Sequence, residues 1–294
     1  MRLAALVAYD GTDFKGFQRQ APGRGRTAQG ELEAALLRLT GEAITVEGAG
    51  RTDSGVHASG QVITFSSSAS HDTATWLRAL NALLPADIAV RAARMVDESV
   101  HARKSALARG YRYRILCDPV RDPLRERYAW RSPARLDVAA MRAAAARLLG
   151  EHDFGAFGSS PRDNRAEGYR GHTVRTMLQA ECAWRTLESP ESPESQGAQG
   201  ALDEVECRFT ANAFLTGMVR RLVGALALVG VGRLAVDDFQ RILESRAKAH
   251  PGTLAPARGL CLTGVHYPAG LIDWEGADVS ADVSSEAPTG EPGV

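Results

Sequence analysis

Residues 2 to 9, RLAALVAY, are apolar almost throughout, the pattern of a strand buried on both faces. Leu32, Ala35, Leu36 and Leu39 then recur at helical spacing and predict a helix over 29 to 40. Strands follow at 43 to 47 and at 60 to 67, where alternation places Ile63 and Phe65 on one face. A helix over 73 to 84 and a strand over 87 to 95 complete the order βαββαβ. The order then repeats. It runs through a strand at 110 to 117, a helix at 137 to 149 with Asp137 as N-cap, strands at 173 to 184 and 204 to 211, a helix at 212 to 229 and a strand at 260 to 266. A further helix is predicted over 237 to 248, carrying Phe239, Ile242 and Leu243. Two successive βαββαβ units predict an α+β fold of two ferredoxin-like lobes with mainly antiparallel sheets and a central cleft. The divisions expected are an N-terminal lobe over 1 to 106, a C-terminal lobe over 107 to 270 with a flexible acidic insert at 188 to 203, and a disordered acidic tail over 271 to 294.

The charge count sharpens this picture. The 294 residues hold 35 Lys plus Arg and 35 Asp plus Glu, a formal charge of zero. Residues 188 to 206 and 273 to 294 each carry six acids and no Lys or Arg, which leaves the rest of the chain near +12, a charge suited to a polyanion. Cys117, Cys182, Cys207 and Cys261 are scattered, with no CxxC pair and no histidine at zinc-finger spacing. They are expected to pack as small hydrophobes, without structural zinc, in a reducing cytosol. The first residues lack a signal-peptide layout, and the apolar run 222 to 232 is too short to span a bilayer, which takes about 20 residues. A cytoplasmic protein with no membrane association is expected.

Three segments could carry chemistry. GAGRTDSGVHASG, 48 to 60, is a glycine-rich loop between predicted strands. It fails as a dinucleotide fingerprint, since Asp53 stands where the third glycine should be. Read blandly, it is a hairpin loop with local turns at Asp53 and Ser54. HARKSALARGYRYR, 101 to 114, interleaves five cations with two tyrosines and holds no acid, which suits phosphates and stacked bases. On a strand, Tyr111 and Tyr113 share one face, and we expect one of them, not both, to be plain core. In NAFLTGMVRRLVGAL, 212 to 226, Phe214, Met218 and Leu222 read as a core stripe, and Arg220 and Arg221 interrupt an apolar helix. A buried cation needs a partner, so at least one should meet a carboxylate or phosphate unless it is simply exposed. Asp10, in AYDGT, resembles a phosphatase nucleophile loop, but Ala8 occupies the attacking position. His57 and His101 are read as hydrogen-bonding scaffold.

YDGTDFKGFQRQ (9 to 20), GAGRTDSGVHA (48 to 58), HARKSALARGYRYRI (101 to 115), ANAFLTGMVRRLVG (211 to 224) and ARGLCLTGVHYP (257 to 268) together resemble the TruA family of tRNA pseudouridine synthases. The resemblance implies a cofactor-free isomerase, with no metal, that converts uridines at positions 38 to 40 in the anticodon stem-loop of tRNA to pseudouridine. It implies Asp53 as the catalytic carboxylate, Arg51 and Arg220 flanking it, Tyr111 stacked on the target base and able to move a proton, and Leu260 packing in the pocket. It further implies a homodimer, each tRNA held across both subunits, with Lys15, Arg19 and Arg24 touching RNA. Phe17 stands where the family often has Trp, and the acidic insert and tail have no family counterpart. The residues alone also fit a catalytically silent RNA-binding protein or a synthase of other specificity. A carboxylate between arginines speaks against the silent reading, because a phosphate-binding surface gains nothing from it.

Overall fold

The computed structural model describes residues 1 to 21, 23 to 159, 173 to 186, 203 to 245 and 252 to 274. The acidic insert apart from Asp203, the tail beyond Trp274 and the end of the helix predicted over 237 to 248 lie outside them. The described chain is a mixed α+β fold built on one large, mostly antiparallel sheet.

The first half runs β1 (Arg2–Tyr9), α1 (Ala28–Thr40), β2 (Glu47–Gly48), β3 (His57–Ser66), α2 (Thr73–Leu83) and β4 (Ile88–Val96), the predicted order βαββαβ. Each helix starts where a short polar side chain takes an orphan amide, Thr27 from Gly30 and Asp72 from Thr75. The strand predicted at 43 to 47 shrinks to two residues. Val46 N donates to Glu33 Oε1 (3.1 Å) and its carbonyl accepts from Gln29 Nε2 (3.1 Å), so side chains of α1 replace a strand neighbour there.

The second half runs β5 (Ala108–Cys117), β6 (Trp130–Ser132), α3 (Val138–Ala146), β7 (Gly150–Asp153), β8 (Val174–Thr186), β9 (Asp203–Ala211), α4 (Met218–Gly230), α5 (Val236–Ser245) and β10 (Leu260–His266). Asp137 caps α3 by accepting from Ala140 N (2.9 Å), and β6 and β7 are additions to the predicted elements. The helix predicted from 212 begins instead at Met218, after Gly217 in a left-handed conformation (φ 70°), so Phe214 lies in the preceding turn and leaves the expected core stripe.

The sheet order is β4-β1-β3-β10-β5-β9-β8-β7. β10 joins the halves, pairing in parallel with β3 at His57 and Ala58 and antiparallel with β5. One continuous core runs from Leu3, Phe65 and Trp76 through Tyr113 and Leu262 to Phe209 and Leu222. A small second cluster of Leu6, Ala49, Val62, Ala92 and Ala102 is covered by Tyr267, Ile272 and Trp274.

Two expectations are corrected. Cys182 and Cys207 are register partners on β8 and β9, with Cα atoms 4.2 Å apart, and form a buried disulfide instead of packing as free thiols. Their closeness depends on strand pairing, which spacing along the chain does not reveal. Asp203, Glu204 and Glu206, counted apart from the folded body, belong to β9. Glu204 and Glu206 are buried and ion-paired with Arg114, so the positive excess of the body is smaller by three. Arg112 and Arg114 accordingly lie among carboxylates on the sheet's second face.

Candidate active site

A cavity of about 740 Å³ opens where the loop between β2 and β3, the start of β5, the turn before α4 and the start of β10 converge. Asp53, Arg51, Tyr111, Arg220 and Leu260 all line it. So do Lys15 and Arg19, whereas Arg24 is not among the lining residues. Among the described residues, Lys15, Arg19, Arg51, Arg103, Arg109 and Arg220 supply six cations to the wall, and Asp53 is the single acid on it.

The loop carrying Asp53 is tied down along its length. The buried amide of Gln61 accepts from Gly50 N (3.1 Å) and donates to Gly50 O (2.7 Å). Thr52 shares a hydrogen bond with the Tyr9 hydroxyl (2.8 Å), and its carbonyl accepts from Phe17 N (3.1 Å). Gly55 N and Ser54 Oγ both donate to Phe14 O. These contacts explain the first motif, because residues 14 to 17 brace the loop. Gly16 has φ 96° and its Cα faces Thr52 O so closely that a Cβ would stand 2.7 Å away, while a Cβ on Gly48 would overlap the Phe17 ring.

Asp53 is left half-open to the cavity, 41% exposed at its side chain, with Arg220 Nη1 3.6 Å from Oδ2. Arg220 is itself fixed, since its Nε donates to Ala255 O (2.7 Å) and its carbonyl accepts from Ala255 N (3.2 Å). Arg221 turns away and donates to Thr216 O (2.9 Å). Arg51 is exposed and, among the described residues, has no ion pair, whereas Arg19 reaches the buried Glu33 (2.7 Å).

Of the two tyrosines, Tyr113 is core, its hydroxyl donating to Pro256 O (2.8 Å). Tyr111 is buried beside the cavity, edge-on to Phe214 at 5.1 Å. Burial pushes its hydroxyl pKa up, and the Asp53 carboxylate pushes it further, so it holds its proton at neutral pH. His57 accepts from Gly11 N at Nδ1 (3.0 Å) and lies 3.1 Å from Asp10 Oδ1, and burial lowers its pKa. Among the described residues no cluster of three or more His, Cys, Asp or Glu could hold a metal ion, and no helix is long and apolar enough to cross a membrane.

Sequence reasoning gave Gln61 and Arg109 no part in the site and read Phe214 only as core. Gln61 carried a signal, a lone amide between apolar positions of a buried strand, while Arg109 was hidden among equivalent-looking cations.

Among the described residues, six cations and one accessible carboxylate line a cavity whose charge suits a polyanion. Comparison with known proteins gives the class its name. The family model described as tRNA pseudouridine synthase matches residues 5 to 103 and 144 to 268. Proteins named tRNA pseudouridine synthase A are similar along nearly the whole chain. That of Roseiflexus castenholzii is 44% identical over 266 residues, 90% of each chain. That of Chloroflexus aurantiacus is 44% identical over 272 residues, 92% of this chain and 91% of its own. A Neisseria meningitidis protein is 40% identical over 268 residues, 91% and 92% of the two chains. The chain belongs to the tRNA pseudouridine synthase family, isomerases that act on tRNA.

Proposed function

We propose that this chain isomerises uridine to pseudouridine at positions 38 to 40 of the tRNA anticodon stem-loop, with Asp53 as the catalytic carboxylate and without a cofactor. The observation that carries this reading is Asp53 itself, among the described residues the single acid lining a cationic cavity, held on a tied loop with its carboxylate accessible and Arg220 beside it.

The chemistry matches these groups. The C1′–N1 glycosidic bond breaks, the uracil turns within the pocket, C5 bonds to C1′, and the C5 proton leaves. The target nucleotide must first leave its stack, at a cost of a few kcal/mol. Asp53 attacks C1′, stabilises its developing positive charge, or promotes loss of the C2′ proton by a glycal route. Arg51 and Arg220 flank it and hold it, with Arg220 Nη1 3.6 Å from Oδ2. Tyr111 packs on the flipped base and relays a proton, and Leu260, 5% exposed, closes the apolar side.

In this reading residues 1 to 106 and 107 to 270 form two ferredoxin-like lobes with the site in the cleft between them. The strand orders support this, since β4-β1-β3 with β2 on β3, and β10-β5-β9-β8, follow one scheme. The enzyme works in the cytoplasm as a homodimer that holds each tRNA across both subunits.

The test is tRNA carrying tritium at uridine C5, incubated with the purified protein and with Asp53→Asn. Release by the wild type, mapped to the anticodon arm, and none by the variant is expected. Near-normal release by Asp53→Asn would remove the carboxylate from the reaction.

A further inference from the structure

Arg109, on β5 two residues before Tyr111, belongs to the cavity wall but uses its charge differently from the cations around it. Its Nε and Nη2 both donate to Ala49 O (3.3 and 3.2 Å), and Nη2 also donates to Arg103 O (2.7 Å). Its Nη1 donates to Ala106 O (3.2 Å) and Asn212 O (2.9 Å). A guanidinium has five N–H groups, and all five are taken by backbone carbonyls. Those carbonyls come from three segments: the base of the Asp53 loop, the basic run between β4 and β5, and the turn leading to α4. Among the described residues it has no carboxylate partner, and burial lowers its pKa. Gln61 holds Gly50 on the next peptide of the loop, so the root of the loop is held at two successive residues by side chains from different strands.

We infer that Arg109 is a positioning residue for the isomerisation. It fixes the Asp53 loop relative to Tyr111 and the turn before α4, and it is not a phosphate ligand although it lies in a phosphate-binding cavity. This rests on the reading of Asp53 as the reacting group. Geometry decides the case: a donor set already saturated offers no N–H to RNA, while a misplacement of about 1 Å at a reacting group can cost about 100-fold in rate. Lysine, with three donors and no planar fork, cannot span the same three segments.

The experiment compares Arg109→Lys and Arg109→Ala with the wild-type chain and Asp53→Asn. It reads single-turnover tritium release, tRNA affinity at several salt concentrations, and Tm. For Arg109→Lys we expect turnover lower by about 100-fold, tRNA Kd within about twofold, and an unchanged slope of log Kd against log salt. Added guanidinium ion should partly restore turnover of Arg109→Ala. Normal turnover by Arg109→Lys, with Asp53→Asn inactive, would overturn the proposal while leaving the Asp53 reading in place. For Arg109→Ala, a slope reduced by about 0.9 with normal turnover would also overturn it, making Arg109 a phosphate ligand. So would a lower Tm alone with turnover intact. Normal turnover by Asp53→Asn would instead remove the reading beneath it. Should Arg109→Ala fail to fold, Arg109→Lys alone decides, since it keeps the charge and most of the stem.

Discussion

Tyr111 and Tyr113 share one face of β5, and two residues of rise separate a core anchor from a cavity wall. Because burial and the neighbouring carboxylate both raise the Tyr111 pKa, the hydroxyl is protonated at neutral pH and, in the proposed reaction, can donate. Tyr111→Phe keeps the ring and removes the proton, so turnover should fall about 100-fold while tRNA affinity stays within about twofold, by tritium release and filter binding. Wild-type turnover should show no alkaline loss from this group up to pH 9. Gln61 is a second single-residue dependence. Gln61→Leu would leave both Gly50 groups without their partner, and a loss of about 1 to 3 kcal/mol in urea denaturation, with slower turnover, is expected.

Elements meet at the end of β1, where Asp10 draws the two halves together. Its carboxylate accepts from Arg127 Nε (2.8 Å) and Tyr128 Oη (3.0 Å) of the second half, and from Thr12 N and Oγ1 locally. Burial opposes its charge, but these hydrogen bonds outweigh burial and bring its pKa down to about 2. Since the folded pKa lies below the unfolded one, this stabilisation is complete above about pH 4 and fades as pH falls toward 2. Asp10→Asn should therefore cost about 1 to 2 kcal/mol at neutral pH and flatten the fall of Tm between pH 4 and 2, read by circular dichroism. Legibility in the sequence followed locality. The first-half order could be read because Leu32, Leu36, Ile63 and Phe65 repeat at the periods of their own elements. The shrinking of β2 could not, since it depends on which side chains of α1 reach Val46. Nor could the Cys182–Cys207 pair, which depends on register between strands. The Asp53 loop stood out by motif, whereas Arg109 and Gln61 act on backbone groups contributed by distant segments.

At the scale of the whole molecule, six of the described cations line one cavity. Lys15 and Arg51 lie on the cavity wall, exposed, and removing either should lower the salt slope of tRNA binding by about 0.7 to 0.9 with little change in Tm. The family match ends at residue 268, and described packing reaches Trp274, so deletion of 275 to 294 should leave tritium release intact. A large loss would give that segment a part in tRNA binding or dimer formation. The strand that unites the sheet, β10, has a temporal consequence. It is the last of the described strands to leave the ribosome, it fills the gap between β3 and β5, and it brings Leu260 to the cavity. A nascent chain can therefore assemble much of each half during synthesis, yet it cannot close the reaction chamber until translation has passed residue 266. Maturation of the catalyst thus waits on this one strand, and a product of a stalled ribosome truncated before β10 would lack the wall that Leu260 gives the cavity.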